Sequence, residues 1–418
     1  MRMKIKRLKV KNFKSFETLD ITLGDFNVII GSNASGKSNF LDILRFIRNL
    51  EKHGLDNAIS LQGGKDYFLN LAIGSDNPFS IEIEVEHNSK ERPVIKIHDS
   101  RFTDIRFSGF YYSCEIKFHK RGNRYTLTRD EIQMYYEVFY FQENENTEES
   151  LGKGILKLSN KRGSVKPKLM ANNIKNFDIN DIYPAAFIKE PLPENLTLIN
   201  TPYLMFPRGG GLFEKMALYN FAPESIKGAS PIIGKVDLEE NASNLPIVLK
   251  NIISQKEKRK KLVSLISDFL PFITDMRVAE TTDKSLRLEL KENFSNRQFI
   301  PSELLSDGTV HTTAVMVALY FGHQSISVFE EPERNMHPEL VARLSTHMRD
   351  ISCRKQIIVT THDTEFLRNT EIDDVLFISR SPKGFSRISR ISDREEVKHF
   401  LENEIGIDEL YAGNLITV

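Results

Sequence analysis

Gly31-Ser-Asn-Ala-Ser-Gly36-Lys37-Ser38-Asn39 decides the reading of this chain. It matches G-x-x-x-x-G-K-[ST], the phosphate-binding loop, and it stands in the context that the motif requires. An apolar run, Phe26-Asn-Val-Ile-Ile30, precedes it, and a helical apolar pattern comes after it at Phe40, Leu41, Ile43, Leu44, Ile47 and Leu50. A buried strand delivers the chain to a tight turn, and the glycines let backbone N–H groups converge on phosphate oxygens. The helix beyond then aims its positive end at them. Lys37 is expected to reach the β- and γ-phosphates and Ser38 to bind Mg2+. Asn33, Gly36 and Asn39 are expected to complete the nucleotide contacts.

Ahead of this loop, Lys4–Val10 and Thr18–Leu23 read as two further strands joined through Asn12-Phe13-Lys14-Ser15. Behind it, the helix is expected to run to about His53, with Gly54 and Gly63-Gly64 breaking the pattern. From about 66 to 140 the signal is β. Phe79–Glu86 alternates, and Tyr111–Phe118, Tyr125–Leu127 and Tyr135–Phe141 are rich in aromatic and branched residues, as in antiparallel hairpins laid over a nucleotide-binding core. Residues 142–175 are the least core-like. An acidic patch (Glu143, Glu145, Glu148, Glu149) gives way to a basic one (Lys153, Lys157, Lys161, Arg162, Lys166, Lys168), as in a solvated loop or long hairpin. Pro184, Pro191, Pro193, Pro202 and Pro207, with Gly209-Gly210-Gly211, interrupt the next stretch.

The 418 residues are enough for more than one domain, and 40% hydrophobic content is enough for a sizeable core. Lys+Arg and Asp+Glu both total 57, so no global basic field marks a nucleic-acid binder. Cys114 and Cys353 alone make neither a disulfide framework nor a metal site, which suits a reducing compartment. No apolar run approaches the roughly 18 residues of a membrane span, and the first residues lack a signal peptide's apolar segment. A soluble, cytoplasmic protein is expected.

Helical periodicity returns over Leu245–Leu270, interrupted by Gln255–Lys261, which is charged on all faces. Strands at Asp275–Val278 and Ser285–Leu290 come next. The last third then alternates helix (about 309–322), strand (326–330), helix (338–350), strand (356–360), helix (364–368) and strand (374–379), the pattern of a mostly parallel sheet flanked by helices. Three features here belong with the phosphate loop. Ile326–Glu331 is a buried strand ending in two carboxylates, Glu330 placed for the Mg2+ shell and Glu331 for taking a proton from the attacking water. Gln356–His362 is a second buried strand, ending in an imidazole within reach of the γ-phosphate. Leu305-Ser306-Asp307-Gly308-Thr309 opens a helix whose Ser306 and exposed N–H groups form another anion site. Each alone is ordinary, and their order and spacing make them a set.

That set (GSNASGKSN, LSDGT, VFEEPE and TTH) resembles the ATPase heads of the ABC superfamily. It is most similar to the RecF/SMC-like, OLD-type branch, through Asn12-Phe13-Lys14-Ser15-Phe16, the Asn after G-K-S, and Glu330-Glu-Pro-Glu333 with His337-Pro338. Within the branch it resembles stand-alone AAA-family ATPases without a TOPRIM nuclease, such as the PtuA-like defence ATPases. The resemblance implies an ABC-type P-loop head of the α/β class: a mixed sheet core with flanking helices and an antiparallel β subdomain, carrying a large α+β insertion. The expected division is residues 1–89, an insertion at 90–235, and 236–418. It also implies a shared site. Phosphate loop, Glu331 and His362 on one subunit would be closed by Ser306 and Gly308 of a second, so that a homodimer sandwiches two ATPs head to tail, with higher assemblies open. Glu330 stands where transporters and SMC proteins carry Asp. Gln62 is the candidate for the glutamine that touches Mg2+, and Lys14 and Ser15 are expected near the base or α-phosphate.

The function expected on this basis is an ATP-hydrolysing dimeric switch that controls or loads a separate effector, a nuclease or toxin, in anti-phage defence and on DNA. Only about 56 residues come after His362, too few for the appended nuclease of OLD proteins. The alternative is a DNA-repair ATPase binding DNA directly through 153–168 and 256–261, with Tyr135, Tyr136 and Tyr140 stacking on bases. A transporter motor is disfavoured by the motif forms, and no membrane partner is expected.

Overall fold

Every residue of Phe26–Ile30 is buried, and the two-residue period of a strand sends its side chains into two different cores. Val28 and Ile30 join one core, and Ile29 joins the other. This strand is central to a six-stranded sheet in a computed structural model that describes residues 2–88, 94–97, 101–122, 124–141, 148–170, 191–193, 196–201, 213, 215–295, 298–395, 397 and 406–413. The sheet order is Met216–Tyr219, Ile326–Glu330, Gln356–Thr360, Phe26–Ile30, Val375–Arg380, Ser386–Arg390. All neighbours are parallel except the last pair. Parallel strands buried on both faces need cover on both sides. One side is covered by the helices Leu245–Ile253, Lys256–Phe269, Asp307–Phe321 and Pro338–Ser352. The other is covered by the phosphate-loop helix Lys37–Ser60 and, beyond it, a second sheet.

That second sheet is antiparallel and eight-stranded, in the order Phe16–Thr22, Arg2–Phe13, Phe79–Asn88, Arg101–Phe118, Tyr125–Phe141, Glu148–Lys161, Ser164–Met170, with Val94–Ile97 beside Arg101–Phe118. Gln356, wholly buried, ties the two sheets: its amide exchanges hydrogen bonds with the Ile5 N–H (2.9 Å) and carbonyl (2.8 Å). A third, smaller sheet contains Ile273–Glu280 and Ser285–Glu292. The expected architecture of a mixed sheet core, flanking helices and an antiparallel β layer is the one observed. The 90–235 stretch contributes to both larger sheets, since Arg101–Phe118 pairs with Phe79–Asn88, and Met216–Tyr219 pairs with Ile326–Glu330.

Several elements differ from the sequence reading, for physical reasons. The phosphate-loop helix breaks at Gly54 as expected, with a non-helical φ of 77°, but a further helical segment that the sequence reading leaves out runs on to Ser60 and buries Leu55, Ala58 and Ile59. Tyr125–Leu127 and Tyr135–Phe141 are ends of one 17-residue strand, paired along its length with Arg101–Phe118. Of the two readings for the basic half of 142–175, solvated loop or long hairpin, the hairpin is the one found: Glu148–Lys161 pairs with Ser164–Met170, and what the reading left out is that it buries Leu156, Leu158 and Val165. Its hydrophobic residues are every second one among lysines, a strand signal that the charge count masks. Tyr136, a candidate for base stacking, points into the core at 1% exposure, whereas Tyr135 points outward. Lys256–Lys261 is helical and exposed. The residues Glu143 and Glu145, the run from Pro202 to Gly211, and the Tyr140 side chain lie outside the described residues.

The Asn12–Ser15 turn is built for packing. Phe13 enters a ring cluster with Phe46, Phe68 and Phe79, edge-on to Phe68 at 5.2 Å. Burying each such ring is worth about 1.5–3 kcal/mol. Asn12 and Lys14 adopt φ of 55° and 46°, and the Asn12 amide donates to the carbonyls of Gly74 (2.9 Å) and Asn77 (2.7 Å).

Farther out, Asp130 is 1% exposed and accepts from Tyr112 Oη (3.2 Å), Asn160 Nδ2 (3.0 Å) and Leu198 N (2.8 Å). Burial pushes its carboxyl up to about 6, against these hydrogen bonds. The folded value lies above the ordinary one, so the contribution of Asp130 to stability is full below about pH 4 and lost as the pH rises through about 6. In Asp130→Asn the amide oxygen keeps the Asn160 and Leu198 bonds while the Tyr112 hydroxyl turns to accept. This variant is expected to exceed the parent in stability at pH 7 by about 2–3 kcal/mol, with the advantage shrinking towards pH 4. Urea midpoints at both pH values measure it, and a pH-independent difference would contradict the assignment.

Candidate active site

Parallel register brings three strand ends together: Ile29 is level with Thr360, and Thr360 is level with Glu330. The turns that leave these strands therefore meet at one edge of the sheet, where ligands of such sheets bind. The phosphate loop leaves Ile30, the carboxylate turn leaves Glu330, and Thr361-His362 leave Thr360.

Within the loop, Gly36 has φ 118°, and a Cβ there would lie 2.3 Å from Ser386 Oγ. Ser386 is the hub behind the loop: its hydroxyl bonds Ser15 Oγ (2.7 Å) and donates to the Ser35 carbonyl (2.5 Å). Lys37 Nζ donates to the carbonyls of Gly31 (2.6 Å) and Ser32 (3.2 Å), and burial lowers its pKa, with Glu331 and Glu330 opposing. Ser38 Oγ donates to Glu330 Oε1 at 3.2 Å. A hydroxyl and a carboxylate in contact are hard oxygen donors, the set that suits Mg2+.

Glu331 comes next with φ 48°, in the left-handed region that disfavours side chains, and its N–H bonds the Thr360 carbonyl (2.9 Å). The strained turn aims its carboxylate at two basic side chains. Oε1 meets His362 Nδ1 at 3.1 Å and Oε2 accepts from Arg334 at 2.5 Å. Burial raises the Glu331 pKa, but the Arg334 bond and charge, with those of His362, outweigh it and leave it below the ordinary value. Two residues on, buried Glu333 accepts from Thr361 Oγ1 (2.5 Å), which fastens the carboxylate turn to the histidine turn. Burial pushes the Glu333 carboxyl up to about 7.

The other expected site residues lie farther from this cluster. Asn33 is exposed at the loop tip. Asn39 donates to Ser15 Oγ (2.7 Å), so its side chain braces the loop against the N-terminal turn, and Lys14 pairs with Asp42 at 2.5 Å. Lys14, Ser15, Asn39 and Gln62 line a cavity of about 520 Å³ beside the loop, together with Tyr67, Arg380 and Phe385. Gln62 donates its amide to the Asp42 carbonyl (3.2 Å), and no hydrogen bond among the described residues joins it to Ser38 or Glu330. The amide found at Glu330 belongs instead to Asn220, just beyond the Met216–Tyr219 strand, which donates to Oε2 at 2.9 Å. Ser306 caps its helix, accepting from Thr309 N (3.2 Å), and a Cβ on Gly308 would lie 2.5 Å from the Asn335 carbonyl. No hydrogen bond among the described residues joins Ser306 or Gly308 to the Lys37 cluster.

Sequence reasoning misses Asn220, Arg45, Arg334, Arg380, Ser386 and Tyr411. Arg380 donates to the Ala34 carbonyl (2.7 Å), and Tyr411 Oη to that of Gly31 (3.0 Å). Asn220 carries a legible signal, a polar residue ending the apolar run Met216–Tyr219. Among the described residues no helix is long and apolar enough to cross a membrane, and no group of three or more His, Cys, Asp and Glu is placed to hold a metal.

The chain is similar to several known proteins. Residues 3–367 match the AAA ATPase domain family. Endonuclease GajA of Bacillus cereus (strain VD045) is 21% identical over 383 residues, covering 87% of this chain and 56% of that protein. The chain thus spans a little over half the length of this curated relative. Among solved structures, an SMC head bound to the C-winged helix domain of ScpA has a TM-score of 0.49 at 16% identity, covering 92% of this chain and 96% of that one. The SMC head domain from Thermotoga maritima has a TM-score of 0.42 at 15% identity, covering 94% and 99%.

Gly36→Ala is expected to distort the loop, because it combines a disfavoured φ with overlap on Ser386. The strain is about 1–3 kcal/mol. Binding of a fluorescent ATP analogue should weaken about tenfold per 1.4 kcal/mol of that strain felt by the loop, and unchanged binding would contradict the packing described.

Proposed function

We propose that this chain, which belongs to the AAA ATPase domain family, is an ATP-hydrolysing dimeric switch controlling a separate effector. The observation that carries the reading is the convergence of Lys37, Ser38, Glu330, Glu331 and His362 at the ends of three adjacent parallel strands. On this reading Lys37 exchanges the Gly31 and Ser32 carbonyls for the β- and γ-phosphate oxygens. Ser38 and Glu330 hold Mg2+, with Asn220 in the role expected of Gln62. Bound there, Mg2+ neutralises charge developing on the phosphates. Glu331 takes the proton of the attacking water as the water oxygen bonds to the γ-phosphorus and the β–γ bridging bond breaks to release ADP. His362 orients that water and the γ-phosphate. Each Glu331 oxygen takes one hydrogen bond here, from His362 and from Arg334, which leaves each a further lone pair for the water. The base and ribose fit the cavity beside Lys14 and Ser15.

On this reading Ser306 and Gly308 act on the site of a second copy; Ser306 caps its helix, and Gly308 packs on the Asn335 carbonyl. The effector on this reading is a nuclease, supported by the similarity to a relative named an endonuclease, and the setting we propose for it is defence against phage. A second reading, direct DNA binding, is favoured by one observation. Lys157 is opposite Lys168 on the outward sheet face with Lys166 beside them, and while Glu131 pairs with Lys157 at 2.9 Å, Lys166 and Lys168 are exposed to meet a polyanion.

Glu331→Gln tests the first reading. A positioned base contributes about 10²–10⁴-fold, so turnover should fall by that factor while ATP binding persists, and light scattering should find dimers only with ATP. Unchanged turnover would overturn it. For the second reading, Lys166→Glu with Lys168→Glu should flatten the salt dependence of duplex binding, and an unchanged slope would remove it.

A further inference from the structure

Glu330 is one methylene longer than aspartate, so its carboxylate has an extra rotor to fix before it can serve a metal beside Ser38. The phosphate-loop helix supplies the means. Ser38, Asp42 and Arg45 recur at helical spacing of four and three residues, which puts them on one face. Arg45 Nη2 donates to Glu330 Oε2 at 3.2 Å, while the other oxygen, Oε1, remains on Ser38 Oγ. Arg45 is itself held, by Asp42 Oδ1 at 2.9 Å, and the second Asp42 oxygen takes Lys14 Nζ at 2.5 Å. The result is a continuous chain, Lys14–Asp42–Arg45–Glu330, running from the cavity beside the loop to the carboxylate. Its central members are largely shielded, with side-chain exposures of 21% for Asp42, 24% for Arg45 and 17% for Glu330.

We propose that Arg45 is a positioning residue. Backed by Asp42, it draws one oxygen of Glu330 off the metal position so that the other stays fixed beside Ser38. A planar guanidinium clamped on one side by Asp42 fixes the carboxylate in direction as well as in charge, which a lysine cannot do. Asn220 holds the same Oε2 from the end of the neighbouring strand, so Glu330 is gripped between helix and sheet. Lys14 at the far end of the chain puts the cavity in contact with the carboxylate's support.

The inference rests on the reading of Glu330 as a metal-shell residue, and the test separates the two. Mn2+ is used as the probe, followed by electron paramagnetic resonance with a non-hydrolysable ATP analogue, on the full chain. Glu330→Gln should lose Mn2+ affinity; if it does not, the metal reading of Glu330 fails, whatever Arg45 does. With that control in place, Arg45→Met should weaken Mn2+ at least about tenfold, and the metal-free affinity for the analogue should stay within about twofold. In turnover, the KM for Mg2+ should rise while kcat at saturating Mg2+ changes little. Arg45→Lys should rescue poorly, and Asp42→Asn should act in the same direction and non-additively with Arg45→Met. A rise in Mn2+ affinity in Arg45→Met would mean that Arg45 competes with the metal, and an unchanged affinity would mean that it only packs the helix. Either result overturns the proposal. Thermal melts of each variant check that the fold is kept, with Arg45→Gln as a less disruptive replacement if Arg45→Met melts early.

Discussion

The structure depends on the register of three parallel strands. Phe26–Ile30, Gln356–Thr360 and Ile326–Glu330 include segments hundreds of residues apart, and each leads into a turn that matters only beside the others. Slipping any one of them by a residue would turn its buried side chains to the opposite core. The two cores are chemically similar but differently built. One packs Leu41, Leu44 and Ile47 of the phosphate-loop helix against the antiparallel sheet, and the other packs the helices of the last third. Hydrophobic burial on both faces therefore fixes the register, and the register places the chemistry.

Around that edge, polar groups from distant segments hold the turns in shape. The Asn12–Ser15 turn reaches the loop through Ser15, Asn39 and Ser386. Arg380 and Tyr411 hold two carbonyls of the loop from the C-terminal side. Glu333 and Thr361 fasten the carboxylate turn to the histidine turn. The turn after Glu331 is also where Gly308 packs and where the buried His311 ring meets the Pro332 carbonyl (2.9 Å). A single turn thus touches both the hydrolytic carboxylate and the helix cap assigned to a partner's site.

Legibility in the sequence divides along a physical line. Elements with strong periodicity or a short-range motif can be read: the phosphate loop, the carboxylate and histidine strands, and the capped helix at Ser306. These are local signals, since strand, turn and helix lie within about a dozen residues. Features that depend on pairing across the chain cannot. The basic stretch within 142–175 reads as either a solvated loop or a long hairpin because its lysines outnumber its leucines, and the hairpin prevails because Leu156 and Leu158 alternate into the core once Tyr125–Phe141 lies beside them. The amide near Glu330 is expected at Gln62, close in sequence to the loop helix, whereas Asn220, legible as the polar end of an apolar run, reaches Glu330 only through the pairing of its strand with Ile326–Glu330. Arg45 and Tyr411 are hidden for the same reason.

On the proposed reading, Lys37, Ser38, Glu331 and His362 of one chain and Ser306 and Gly308 of a second make one ATP site. A structure with Mg2+ and a non-hydrolysable ATP analogue tests this without intermediaries. The γ-phosphate should lie within hydrogen-bond reach of Lys37 and His362 of one copy and Ser306 of another, with Lys37 freed from the Gly31 and Ser32 carbonyls. A nucleotide bound elsewhere, or one enclosed by a single copy with Ser306 facing solvent, would contradict it.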